Sequence, residues 1–184
     1  MLIGICGKSG SGKTTLSNEL KSINNKIVSL DIDKIGHESL KNPIVIKELT
    51  DFFGIGILLD GVVNRKELSK AVFTDPSAMK VLTNITWKYM QFMIDEFIND
   101  NKNKIIILDW LLLPNTEYFK KCDIKILLDV DYNTRMNRSI KRDNISENSF
   151  KIRDHASIEY NSNDFDYVIK DSNYDEIKSI ISKL

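Results

Sequence analysis

Short, almost unbroken apolar runs occur near both ends of this chain, with longer stretches of mixed apolar and polar residues between them. The runs are Leu2-Ile3-Gly4-Ile5-Cys6, Lys26-Ile27-Val28-Ser29-Leu30, Ile105-Ile106-Ile107-Leu108, Ile124-Lys125-Ile126-Leu127-Leu128 and, more weakly, Tyr167-Val168-Ile169. Runs rich in β-branched residues that do not alternate with polar ones mark strands buried on both faces, as in a parallel sheet covered by helices. Helical spacing follows the first run over residues 15–21. It returns over 172–184, where Ser172 and Asp175 fit a capping pair and Tyr174, Ile177, Ile181 and Leu184 share a face. This alternation predicts an α/β fold, a three-layer sandwich around a five-stranded parallel sheet.

The region between Asp31 and Lys104 departs from simple alternation. A crossover between parallel strands needs about a dozen residues or a few more, and this one has roughly seventy. Pro43 opens one helix at its first turn. Asp75-Pro76 opens another that runs past Trp87 and Tyr89 toward Phe97, and Phe52-Phe53-Gly54-Ile55-Gly56 interrupts the period between them. Residues of about 36–101 are thus expected to form a helical insertion suited to binding an acceptor, the alternative being a cap that only packs.

Composition narrows the class. The chain has 184 residues, which suits one domain, with 42% hydrophobic and 28% charged residues. Its 26 basic and 26 acidic residues cancel, which argues against a dedicated nucleic-acid binder. No long apolar run predicts a membrane span, and the first strand starts too early for a leader peptide. Two cysteines are too few for a disulfide framework or a zinc site. Cys6 reads as a small buried residue, and the expected setting is cytoplasmic. The partner to expect is a small molecule, and nothing in the pattern sets an oligomeric state.

The chemistry starts at Gly7-Lys8-Ser9-Gly10-Ser11-Gly12-Lys13-Thr14, which fits G-x-x-x-x-G-K-[ST] between a strand and a helix. Glycines let the backbone curl so that its N–H groups face a phosphate chain, and the helix start adds partial positive charge. Lys13 is expected to reach the β- and γ-phosphates of ATP, Thr14 to ligate Mg²⁺, and Thr15 to extend the nucleotide site.

Ligands of open α/β sheets bind at the carboxyl ends of the strands. Asp31 and Asp33 are expected at the end of the second strand and Asp109 at the end of the third. Phosphoryl transfer needs one carboxylate on the metal side and one to orient or deprotonate the attacking hydroxyl. Asp109, after four aliphatic residues, suits the first role, and Asp33 the second. Spacings of three and four place Arg135, Arg138 and Arg142 on one helical face, where planar guanidinium groups pair with phosphate oxygens. With Lys151 and Arg153 on the next helix, residues of about 135–157 predict a lid over the nucleotide. The charged neighbours Asp143 and Glu147 allow a merely solvated face instead. His37 and His155 have no metal-ligand cluster to join and are expected to be structural or solvent-facing.

Taken together, these residues resemble the dephospho-CoA kinase family. Asp31-Ile32-Asp33 matches its Asp-x-Asp. Phe53-Gly54-Ile55-Gly56-Ile57-Leu58, Asp60-Gly61, Asn64-Arg65, Leu68 and Val72-Phe73-Thr74-Asp75-Pro76 follow in the family's order. Asp109-Trp110-Leu111-Leu112-Leu113, Arg138 to Asp143, and Asp166-Tyr167-Val168-Ile169 continue the likeness. The resemblance implies a P-loop kinase that uses ATP to phosphorylate the ribose 3′-hydroxyl of dephospho-CoA. It further implies Asp33 as base, Lys13, Arg138 and Arg142 on the phosphates, and Arg65 on the acceptor. Three positions depart: Trp87-Lys88 replaces a His-Pro pair, Leu113-Pro114 an aromatic-Glu pair, and Arg135 a Gln. Lys88 then becomes a candidate for an acceptor phosphate. Because the departures cluster on the acceptor side, a kinase of another small hydroxyl acceptor, such as a nucleoside or nucleotide, stays open. The intact Asp33 and arginine face speak against a nucleotide-binding regulator that transfers nothing.

Overall fold

The computed structural model describes residues 1–73, 75–171 and 173–184, without the side chains at 73 and 76. By their internal contacts these residues form two compact units, Met1–Asp31 with Asn101–Leu184, and Ile32–Asp100.

The first unit begins with β1 (Leu2–Cys6), α1 (Lys13–Ile23) and β2 (Ile27–Asp31). The second holds α2 (Ile32–Ser39), α3 (Pro43–Phe53), the short pair β3 (Leu58–Leu59) and β4 (Val62–Val63), α4 (Arg65–Phe73) and α5 (Pro76–Asp100). The first resumes with β5 (Ile105–Asp109), α6 (Glu117–Lys121), β6 (Ile124–Leu128), α7 (Tyr132–Asp143), α8 (Glu147–His155), β7 (Tyr167–Ile169) and α9 (Asp175–Ile181).

The main sheet runs β2-β5-β1-β6-β7, parallel throughout. β1 is the central strand and every one of its residues is buried, which explains its unbroken apolar sequence. One face is covered by Leu16 and Leu20 of α1 and Ile177 and Ile181 of α9, packed on Ile3, Ile5, Ile107, Ile126 and Leu128. On the other face the segment 113–122 buries Leu113, Tyr118, Phe119 and Cys122. It lies so close to β1 that a Cβ on Gly4 would come within 3.0 Å of both Leu113 and Cys122. The three-layer α/β expectation therefore stands, with five parallel strands.

The Ile32–Asp100 unit has its own core of Val45, Leu49, Ile57, Leu68, Val72 and Ala78. Asn42 caps α3, accepting from the amides of Ile44 and Val45, with Pro43 at the first helical position. β3 and β4 turn through Asp60 (φ 51°) and Gly61 (φ 80°), a two-residue hairpin of the primed type. Two-residue strands are too short to show a period of two, so the apolar pattern did not reveal them.

Several expected boundaries shift. Asp33 is not at the end of a strand: β2 stops at Asp31, and Asp33 lies in the first turn of α2. The helix after the glycine-rich loop starts at Lys13 rather than at 15, and α5 continues to Asp100. α9 begins at Asp175 with Tyr174 at its N-cap and no side-chain cap bond. Ser172, half of the expected capping pair, lies outside the described residues, as does Thr74. Tyr174, Ile177 and Ile181 are buried as the spacing predicts, whereas Leu184 is half exposed. No described helix is long and apolar enough to cross a membrane.

Candidate active site

The loop between β1 and α1 owes its shape to its glycines. Gly10 (φ 79°) and Gly12 (φ 99°) both occupy left-handed backbone that other residues rarely adopt. Gly12 is also the N-cap of α1, so no side chain covers the first amides of that helix. Open amides at the positive end of a helix dipole form a site for anionic oxygens. Lys13 lies over the loop with its Nζ donating to the Gly7 carbonyl at 3.0 Å. Lys8, whose side chain is largely covered, pairs with Glu159.

The strand ends bring the carboxylates to this loop. Asp109 ends β5, paired in register with Asp31 of β2 on one side and Ile5 of β1 on the other. Asp109 is buried at 5% exposure, whereas Asp31 is exposed. The Thr14 hydroxyl donates to Asp109 Oδ2 at 3.3 Å. A hydroxyl and a carboxylate side by side are hard oxygen donors of the kind Mg²⁺ takes when phosphates and waters complete its shell. Among the described residues there is no cluster of three or more acidic, histidine or cysteine ligands, so the protein offers few donors of its own.

Two of the three arginines of α7 face the loop. Arg138 Nη1 donates to the Gly10 carbonyl at 3.5 Å, and Arg142 Nη2 to Ser9 Oγ at 3.3 Å. With Gly10, Gly12, Thr15 and Lys141 they line a cavity of about 480 Å³. Arg142 also forks onto Asp143 at 2.7 and 2.9 Å, and this guanidinium holds the Asp143 carboxyl below the usual carboxylate range. Arg135 departs from expectation. It is 6% exposed, bonds to Asp154 and to the Val130 carbonyl, and does not join the other two on the cavity. Arg153 is exposed and 4.0 Å from Asp143. Cys6, at the end of β1, and Cys122 are both buried. Burial pushes the Cys6 thiol far up and Cys122 to about 12, which favours the neutral thiol at both.

In the Ile32–Asp100 unit, Asp33 is exposed in the first turn of α2. One turn on, His37 Nε2 lies 3.1 Å from Arg65 Nη2, at the start of α4. The two share a cavity of about 190 Å³ with Leu40, Leu68, Ser69, Val72, Met79 and Leu82. A cation beside an apolar hollow suits a ligand that is anionic at one end and apolar or aromatic at the other. Sequence reasoning gave His37 only a structural or solvent-facing role. Its position four residues after Asp33 was the available signal, but its partner is 28 positions away. Lys88 is not part of this arrangement. It lies in a separate groove between Ile44, Ile85, Tyr89 and Phe92, 4.0 Å from Glu48, whose carboxylate opposes any anion there.

Comparison with known proteins extends the picture. Residues 1–176 match the family described as dephospho-CoA kinase. A dephospho-CoA kinase of Fusobacterium nucleatum subsp. nucleatum is 32% identical, over 79% of this chain and 75% of the relative. One from Aquifex aeolicus is 30% identical, over 99% and 96%. Among solved structures, a Thermus thermophilus protein aligns with a TM-score of 0.85 at 21% identity, over 100% of this chain and 97% of the other. A dephospho-CoA kinase from Campylobacter jejuni gives 0.67 at 23%, over 99% and 93%. These two structures support the fold.

Proposed function

The chain belongs to the dephospho-CoA kinase family, and on that premise we propose that it transfers the γ-phosphoryl group of ATP to the ribose 3′-hydroxyl of dephospho-CoA. The observation that carries the site assignment is the convergence of Lys13, Thr14, Asp109, Arg138 and Arg142 around one glycine-rich loop. Phosphoryl transfer asks little covalent chemistry of a protein, and it depends on positioning and charge.

The amides of residues 7–15 and the start of α1 cradle the β- and γ-phosphates. Lys13 leaves the Gly7 carbonyl to bind them, and Arg138 and Arg142 flank them from α7. Their paired donors follow charge as it shifts toward the leaving oxygen. Thr14 and Asp109 would hold Mg²⁺, which would supply positive charge to offset that of the phosphates. In the other unit Asp33 orients the acceptor hydroxyl and accepts its proton as the bond to phosphorus forms. Arg65 takes an anionic group of the acceptor, and Lys88 has no part. Residues of about 135–157 act as the lid and residues of about 36–101 as the acceptor-binding insertion of a single kinase domain.

The test is ADP release coupled to dephospho-CoA, with the product identified by mass. Asp33→Asn keeps the size and polarity of the side chain but cannot accept the proton. It should lower kcat by about 10²-fold or more with little change in ATP affinity. ADP release that ignores dephospho-CoA in the wild-type protein refutes the reaction, and wild-type kcat in Asp33→Asn refutes the base. Transfer to a nucleoside or nucleotide in preference to dephospho-CoA would place the chain among kinases of another hydroxyl acceptor.

A further inference from the structure

We infer that Arg135 is a positioning residue for phosphoryl transfer, a side chain that ties α7 to α8 and to the segment after β6 behind the phosphate loop. The inference rests on the reading that Arg138 and Arg142 act on the phosphates, and it concerns what holds them in place.

Three elements meet at its guanidinium. Nε donates to the Val130 carbonyl at 2.9 Å, just beyond the end of β6. Nη1 and Nη2 both donate to the Asp154 carboxylate on α8. Its Cζ lies 5.9 Å from the centroid of the Tyr132 ring and 6.0 Å from that of Phe150, and those rings meet edge to face with centroids 5.4 Å apart. The planar fork of arginine spreads its donors in fixed directions, Nε toward the carbonyl and Nη1 and Nη2 toward the carboxylate, a geometry that the compact ammonium of lysine does not reproduce. A guanidinium so buried and so occupied is not one that reaches for a phosphate.

Its main chain supplies an independent observation. Gly10 of the loop packs so tightly against the Arg135 carbonyl that a Cβ would not fit, and Ser139 Oγ stands beside it one turn on. The residue that sets the contact of α7 with the loop therefore also ties α7 to β6 and α8. Arg138 and Arg142 follow on the same helix and reach Gly10 and Ser9. Beyond α8 the chain returns to the loop through the Lys8–Glu159 pair, and the Tyr160 hydroxyl donates to the Leu111 carbonyl at 2.8 Å. A shift of α8 would thus disturb the loop from two sides.

Removing one partner of a buried ion pair leaves the other charge stranded, whereas replacing both with apolar residues is often neutral for stability. That difference separates positioning from mere structure. Arg135→Lys, Arg135→Met and the double variant Arg135→Met with Asp154→Leu are compared with the wild-type protein. The measurements are thermal midpoint, affinity for a fluorescent ATP analogue, and kcat and KM with dephospho-CoA well below the midpoint. Arg135→Met should melt early, and the double variant should recover the wild-type midpoint. If Arg135 positions α7, the recovered double variant still loses about tenfold or more in nucleotide affinity and kcat, while KM for dephospho-CoA moves little. Arg135→Lys, which keeps the charge but not the bond to Val130, should fall between. Wild-type affinity and kcat in a stable double variant would overturn the inference. Should the double variant also melt early, Arg135→Lys decides at a temperature where it is folded, and unchanged nucleotide affinity there overturns it equally. A wild-type protein inert toward dephospho-CoA would instead refute the proposed reaction, leaving the nucleotide-affinity comparison valid.

Discussion

Gly12 meets three requirements at one α-carbon. It takes a left-handed φ of 99°, it starts α1, and a Cβ on it would lie 2.6 Å from the Tyr174 hydroxyl. Gly12→Ala should cost about 1–3 kcal/mol in backbone strain alone, and the clash adds to it. Removing the hydroxyl with Tyr174→Phe relieves the clash and leaves the strain. ATP titrations of the wild type, both single variants and the double variant should therefore show coupling, with the double variant binding ATP better than Gly12→Ala. Strict additivity would mean that the tyrosine does not set the loop. At this scale the sequence was most legible where chemistry ties residue type to spacing, as at Lys13, Thr14 and Asp109. It was least legible where burial decides. Helical spacing placed Arg135 with Arg138 and Arg142, yet a period of 3.6 says which residues share a face and not whether the edge of that face is wet. Only the partners Val130 and Asp154 show that Arg135 points inward.

The helix α7 shows how much of an element depends on its first residue. Asp131 caps it, its Oδ1 accepting from the Thr134 amide at 3.0 Å. The Thr134 side chain and amide hold the Asp131 carboxyl below the ordinary carboxylate range. The folded state therefore binds this proton less readily than the unfolded chain does. The cap's stabilisation is present in full above the ordinary carboxylate pKa and fades as pH falls through the lowered one. Asp131→Ala should lower the thermal midpoint at pH 7, and the gap from the wild type should close as the pH is taken well below 4. A gap that is constant over that range would show that the carboxylate charge has no part in the cap. The inner strands β1 and β5 were readable because burial of every residue leaves little choice but apolar ones, whereas the edge strand β7, with Val168 exposed, gave only a weak run. Asp33 was misplaced because Ile32 continues the apolar run of β2 while already being the first residue of α2. The β3–β4 hairpin was missed because its strands are shorter than the pattern that would betray them.

At the scale of the whole molecule, the long helical stretch after Asp31 was legible as an insertion because no crossover needs so many residues. What the sequence did not show is that this stretch has a core separate from that of the sheet. Leu49 is fully buried in it, and Leu49→Ala should cost about 2–5 kcal/mol there. Amide exchange should then accelerate over residues 32–100 well before it does in β1, β5 and β6. Equal acceleration everywhere would mean that the two cores open as one.

The central place of β1 also bears on how a ribosome delivers this protein. β1 pairs with β5 and β6, which are made some hundred residues after it. The tyrosine behind Gly12 emerges later still. A nascent chain that has long since exposed its glycine-rich loop therefore has neither the neighbouring strands that support the loop nor the residue that backs it. Nucleotide binding should accordingly arise late in translation, when residues 105–174 have cleared the exit tunnel. Until then a fully apolar strand is exposed, which makes the early chain a natural client for chaperones.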